Sequence, residues 1–322
     1  MTPGTTATTA DTDTGTSTGS GSPATTGGAQ DRGDRPEIPT RLLVHALVRE
    51  DGTVDAGELY TVAGLLGMTD QQVRLCVKRL VTEGRFTQEG RGRKATLRAV
   101  ADVTGSLAPD AAYVRHAYRQ DAGLAPWDGT WHLFAFAVPE ARRTARDALR
   151  EHLLHLGAAP VQGGLYVTAN DVTGLVEAQA RHLGVLDTLS HASSTDLRVG
   201  GVTDPRALAA ALWPLSEIAE RYERLAAFAG SRLARLTEGP EPSSAERLTT
   251  AVELAAHFTA AMGPDPLLPP ELLPAPWPGS RARHLAAAYW AALDGTGTAG
   301  AAPAPRLFAL YDEALRPADS DG

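Results

Sequence analysis

Residues 69–98 read TDQQVRLCVKRLVTEGRFTQEGRGRKATLR, and they decide how the chain around them is read. Thr69 or Asp70 can cap the free amides at a helix start. Val73, Cys76, Val77 and Leu80 then recur at the three-four spacing of one buried helix face, and Gly84 ends the pattern. Arg85 to Gln88 and Ala95 to Arg98 read as two short strands joined by the hairpin turn Gly90-Arg91-Gly92-Arg93-Lys94. Upstream, Ile38, Leu42, Leu43, Ala46 and Leu47 mark a first helix after Pro36 and Pro39. Asp51-Gly52 makes a turn, Thr53-Val54 a short strand, and Leu59, Val62, Ala63 and Leu66 a second helix closed by Gly67. Helix, strand, helix, turn, helix, hairpin is the order of a winged helix-turn-helix, expected here over residues 37–101 with its recognition helix and wing inside 69–98.

Charge sharpens that reading. The chain of 322 residues has a formal net charge of −8, which argues against a protein that coats nucleic acid indiscriminately. Between Gln71 and Arg98, however, eight basic residues face two acidic ones, leaving −14 for everything else. Because the basic residues are 28 arginines and two lysines, the clustering is more informative than the residue type. The single cysteine, Cys76, excludes an internal disulfide and a cysteine-type zinc site, and fits a reducing compartment. No apolar stretch reaches the ~20 residues a bilayer crossing needs, and no signal sequence opens the chain, so a cytoplasmic protein without membrane contact is expected.

Working outward, residues 1–36 are Thr, Gly, Ser, Ala and Asp with almost no large apolar side chains, the composition of a disordered tail. Residues 102–126 read as a linker. Over 127–200 a strand at Trp131 to Val138, a helix at Pro139 to Leu156, strands near Ala158 to Gln162 and Leu165 to Thr168, a helix at Thr173 to Leu183 and a strand near Val185 to Ser190 give the β-α-β-β-α-β order of a ferredoxin-like domain. Residues 201–322 read as a helical domain interrupted by a linker near 238–244. The fold class expected is α+β, in three parts: winged helix-turn-helix, ferredoxin-like middle domain and α-helical C-terminal domain.

Five segments in this order carry a resemblance. Gly67 to Lys94, Trp127 to Val138 (WDGTWHLFAFAV), Gly163 to Val167, Trp213 to Leu225 (WPLSEIAERYERL) and Asp265 to Arg281 (DPLLPPELLPAPWPGSR) resemble the PaaX family of transcriptional regulators, over about residues 38–293. The family implies the same three domains, the middle one resembling a CRISPR adaptation nuclease subunit, assembled as a dimer. Its prototype represses phenylacetate degradation and responds to phenylacetyl-CoA. The nucleases sharing the middle fold place an Asp at the end of the first strand, whereas this strand ends Ala135-Phe136-Ala137-Val138-Pro139, so nuclease chemistry is not expected; with no Gly-rich phosphate loop, Ser-His-Asp order or two-metal carboxylate cluster elsewhere, no enzyme activity is expected.

The residues expected to touch DNA are Thr69, Gln71, Gln72, Arg74, Leu75, Lys78 and Arg79 on the recognition helix, and Arg91, Arg93 and Lys94 at the wing. Arg pairs with guanine edges and Gln with adenine edges, whereas cations at a hairpin tip hold phosphates or the minor groove. Cys76 lies on the Val73-Val77-Leu80 stripe and reads as a core thiol rather than a redox sensor. His152, His155 and His182 lack a carboxylate or thiol at ligand spacing, so no metal is expected. Arg142, Arg143 and Arg146 with Trp131, Tyr166 and Trp213 are the candidates for holding a small effector, such as an acyl-CoA thioester or an aromatic pathway metabolite; no other cofactor is expected. Together these expectations describe an effector-responsive repressor of a catabolic or secondary-metabolite operon, binding an inverted repeat in double-stranded DNA as a homodimer. The alternative is a winged helix that binds protein and not DNA.

Overall fold

The computed structural model describes residues 38–100, 111–295 and 305–315; the tail expected over 1–36 lies outside the described residues. The first part of the chain contributes α1 (Thr40–Ala46), β1 (Thr53–Asp55), α2 (Ala56–Leu65), α3 (Asp70–Thr82), β2 (Phe86–Glu89) and β3 (Thr96–Ala99). β3 lies between β1 and β2, antiparallel to both, with Thr53 opposite Arg98 and Glu89 opposite Thr96. Asp55 caps α2 by accepting from the Glu58 amide at 2.7 Å. At the other end of that helix Gly67 takes φ +79, which lets Met68 N–H reach back to Ala63 O at 2.8 Å. Leu43, Leu47, Leu59, Val73, Leu80, Phe86 and Leu97 are buried in one interior, each worth about 1.5–3 kcal/mol of transfer from water.

The stretch expected to be a linker contains a helix, α4 (Ala111–Asp121). Val114 and Ala117 are buried, the Tyr113 hydroxyl donates to Asp265 O, the Tyr118 hydroxyl to Arg283 O at 2.9 Å, and the Gln120 amide to Leu267 O at 2.8 Å. All three acceptors lie about 150 positions further along the chain, so nothing local marks this segment as part of the core.

The middle part comprises β4 (Trp131–Phe136), α5 (Arg143–His155), β5 (Ala159–Gln162), β6 (Leu165–Thr168), α6 (Thr173–His182) and β7 (Leu189–Ser194). The sheet order is β5-β6-β4-β7, every neighbour antiparallel. Two boundaries differ from the sequence reading. The chain makes a 3-10 turn over Glu140–Arg142 before α5 begins, and another over Leu186–Thr188 before the last strand, which runs to Ser194 rather than ending at Ser190. β7 is a mostly exposed edge strand, LSHASS, whose pairing with β4 sets its length and leaves no apolar alternation to read.

Phe134, Val138, Leu149, Leu153, Tyr166, Val176 and Val185 fill the space between this sheet and α5 and α6. The opposite face of the sheet presents Trp131, Ala159 and Val167 to Leu208, Ala209 and Trp213. Helices α7 (Pro205–Leu212), α8 (Leu215–Glu238), α9 (Ser244–Met262), α10 (Pro278–Gly295) and α11 (Arg306–Leu315) complete the described chain. The break at Gly239–Ser243 falls where a linker was expected, and Ser243 with Glu246 forms a capping box that starts α9. The helix α11, in the last thirty residues, had no counterpart in the sequence reading. One hydrophobic cluster runs without interruption from Leu43 through Trp213 to Tyr311. Among the described residues no helix is long and apolar enough to cross a membrane.

A buried ionic group ties the helices together. Arg283, 4% exposed, donates to both Asp121 oxygens at 2.6 and 2.7 Å and to the Tyr222 hydroxyl at 2.9 Å, and lies 3.7 Å from Asp265. The Tyr222 hydroxyl in turn donates to Asp265 Oδ2, and Asp265 Oδ1 accepts from Leu267 N–H at 2.9 Å. Burial raises the Asp265 carboxyl above its usual range, and burial followed by the Asp265 charge raises the Tyr222 phenol well above its own.

Candidate nucleic-acid interface

The helix α3 is fixed at its start by a complete capping box. The Thr69 hydroxyl accepts from Gln72 N–H at 3.2 Å, and the Gln72 side-chain carbonyl accepts from Thr69 N–H at 2.7 Å. Thr69 and Gln72 thus serve the helix itself. At the other end Gly84, at φ +69, allows Arg85 N–H to reach Leu80 O at 3.0 Å. Val73 and Leu80 are buried, Cys76 and Val77 half-buried, while Gln71, Arg74, Leu75, Lys78 and Arg79 stand exposed on the outer face. Leu75 is 56% exposed, unusual for a leucine on a helix packed into a core. Cys76 faces partly inward, and burial pushes its thiol up from the ordinary value of 9.0.

The hairpin returns beside this helix. Gly90 and Gly92 take φ +83 and +61, and a 3-10 turn over Gly92–Lys94 carries the chain from β2 into β3. Two features seat the turn on α2: Ala56 N–H donates to Ala95 O at 3.0 Å, and a Cβ at Gly57 would come within 3.0 Å of Arg93 O. Between α3 and the hairpin lies a groove of about 320 Å³. Tyr60, Val77, Val81 and Leu97 make its apolar wall, and Arg74, Lys78 and Arg91 bring three cations to it.

Among the described residues, Arg74, Lys78, Arg79, Arg91 and Lys94 have no carboxylate within 4.0 Å; the cations that do include Arg41 with Glu83, Arg49 with Glu58 and Arg146 with Glu140. Arg93 differs from its neighbours. Its guanidinium pairs with Asp70 at 3.2 Å and lies 5.1 Å over the Tyr60 ring. The sequence reading placed Arg93 beside Arg91 and Lys94 as a phosphate contact; the fold turns it back onto the start of α3. Tyr60 was not singled out in the sequence, and Asp70 only as an alternative to Thr69 for the helix cap. The opposite charges of Asp70 and Arg93 are visible there, 23 positions apart, but only the hairpin brings them together.

The six residues considered for an effector are not brought to one site. Trp131 and Trp213 stack at 6.3 Å in the main interior, with the Trp213 indole N–H donating to Gly157 O at 3.0 Å. Tyr166 is buried on the other face of the sheet, 5.7 Å from Phe136. This separation follows from the pleat, which sends alternate residues to opposite faces. Arg142 donates to Gly184 O at 2.6 Å, Arg143 lies 3.5 Å from Asp147, and Arg146 pairs with Glu140 at 2.6 Å. Among the described residues no three His, Cys, Asp or Glu side chains gather closely enough to hold a metal.

Three helices, a small antiparallel sheet with a cationic groove, a four-stranded sheet covered by helices and a C-terminal helical region define the class: an α+β protein of several parts with a basic edge. Residues 124–209 match the PaaX protein central Cas2-like domain, and residues 213–301 match the PaaX-like protein C-terminal domain, together more than half of the sequence. The chain belongs to the PaaX family. Among solved structures it is similar to the uncharacterized protein Rv0674 from Mycobacterium tuberculosis, at 23% identity and a TM-score of 0.40, covering 75% of this chain and 90% of that one. No curated protein matches.

Proposed function

We propose that the chain is a DNA-binding transcriptional regulator in which residues 38–100 form a winged helix-turn-helix, α3 is the recognition helix and β2–β3 the wing. The observation that carries this reading is the set of exposed cations on α3 and the hairpin, Arg74, Lys78, Arg79, Arg91 and Lys94, none paired with a described carboxylate. Exposed cations without a carboxylate partner among the described residues, on a chain of net charge −8, fit a polyanionic ligand. Gln71 and Leu75 would meet base edges, Leu75 fitting a thymine methyl, while the groove cations Arg74, Lys78 and Arg91, together with Lys94, would hold the backbone. Thr69, Gln72 and Arg93 would act by holding α3 and the wing in place. Membership of the PaaX family supports the regulatory reading.

The finer parts of the proposal are repression, an imperfect inverted repeat read by a homodimer, and release or retention by a small effector. The middle domain, ferredoxin-like in strand order, would serve assembly or signalling. The test is binding of the purified chain to fragmented genomic DNA followed by sequencing. Enrichment of a two-fold-symmetric motif at intergenic sites is expected. No enriched motif, with no salt-sensitive affinity for duplex DNA, would replace this reading with a protein-binding winged helix.

A further inference from the structure

Residues 305–315 lie beyond both family matches. Pro305 pairs with Arg49 in an isolated antiparallel bridge, Arg306 N–H donates to Val48 O at 2.8 Å, and the Arg306 guanidinium donates to Glu50 O at 3.2 Å. Just beyond, Leu307 and Tyr311 are buried. The Tyr311 ring stacks on Trp290 at 4.7 Å and meets Phe258 edge-on at 5.9 Å, while its hydroxyl donates to Ala255 O at 3.0 Å. One end of α11 therefore holds the turn between α1 and β1, and its body is sunk among α4, α9 and α10.

That turn leads into β1, which pairs with the hairpin strand β3. Arg49 N–H donates to Thr53 O at 2.8 Å, its guanidinium pairs with Glu58 on α2 at 3.0 Å, and Thr53 stands opposite Arg98 on β3. A restraint at Val48–Glu50 is thus carried through β1 into the strand that forms one side of the wing. α2 also packs against α9, so the first part of the chain is docked on the helical part at two separate places.

We propose that α11 is a strap fixing the orientation of the DNA-reading part on the helical part, with Arg306 and Tyr311 as its positioning residues. The proposal rests on the DNA reading above for its purpose and on these contacts for its existence. A recognition helix and wing held at one angle before binding lose less freedom when the ligand is engaged.

The test uses Arg306→Pro in the full chain. Proline is tolerated in the first turn of a helix, so α11 is preserved while the donor to Val48 and the guanidinium reaching Glu50 are removed. Hydrogen exchange of the segment Val48–Asp55 is expected to quicken about five- to tenfold, with β4–β7 unchanged. Affinity for a duplex selected by the parent should fall several-fold at an unchanged salt slope, because every exposed cation of α3 and the wing remains. Arg306→Ala, which keeps the backbone donor, should lie nearer the parent, and a chain ending at residue 303 should reproduce the proline variant or exceed it. Exchange and affinity equal to the parent's in Arg306→Pro would overturn the strap. A parent without DNA affinity would instead overturn the DNA reading, and the exchange measurement alone then decides whether the strap exists.

Discussion

Replacing Arg74, Lys78 and Arg91 together by Ala tests the interface most directly, because these three cations meet at one groove and none is paired with a described carboxylate. Removing one cation that neutralises a phosphate lowers the slope of log affinity against log salt by roughly 0.9, so removing all three lowers it by about 2.7. Between about 50 and 200 mM salt the parent's affinity should then drop roughly 40-fold further than the variant's. Fluorescence anisotropy of a labelled duplex, titrated at several KCl concentrations, reads both slopes. Arg93→Ala is the control: its guanidinium already faces Asp70 and Tyr60, so affinity should drop at a nearly parental slope. Both Arg93 and Asp70 are more than half exposed, and the pair contributes only about 0.2–1 kcal/mol to stability, so the control stays folded. Parallel slopes for the parent and the triple variant would refute the claim that this groove faces the phosphate backbone.

Arg283→Met leaves Asp121 and Asp265 without their buried cation, and urea unfolding should report a loss of about 3–5 kcal/mol. At the start of α9, hydrogen bonds from Ser243 hold the Glu246 carboxyl below its ordinary value of 4.5. The capping box therefore contributes fully above that value and fades as pH falls through the lowered one. Ser243→Ala should lower the melting temperature at pH 7, and the gap between variant and parent should narrow as the pH is taken down below 4.5 and through the lowered Glu246 value. For Cys76, whose thiol burial pushes up, alkylation by iodoacetamide should show a midpoint above 9.0; a midpoint below neutrality would restore the redox-sensor reading.

Much of the candidate interface is written in short-range pattern. The three-four spacing of Val73, Val77 and Leu80, the Thr69 cap and the closing Gly84 each act within a few residues, and they suffice to define α3 and its polar face. The hairpin follows from Gly90 and Gly92 between two short strands, with boundaries that moved by a single residue. Cation identity and clustering are likewise properties of sequence. The β-α-β-β-α-β order was legible for the same reason, except at β7, where a polar edge strand has no alternation to reveal it.

Tertiary structure decided which of these side chains are available and what the rest of the chain is for. Arg91 and Arg93 are two positions apart and chemically identical, yet one lines the groove and the other is bound to Asp70. Trp131 and Tyr166, both aromatic residues of one sheet, were sent to opposite interiors by the pleat. The helix α4 exists through acceptors about 150 residues distant, and α11 through partners as far away as Val48. The division has one physical cause. Caps, turns and helical spacing are fixed by neighbours along the chain, whereas an ion pair or a buried hydrogen bond is chosen by whatever the completed fold places within about 3 Å.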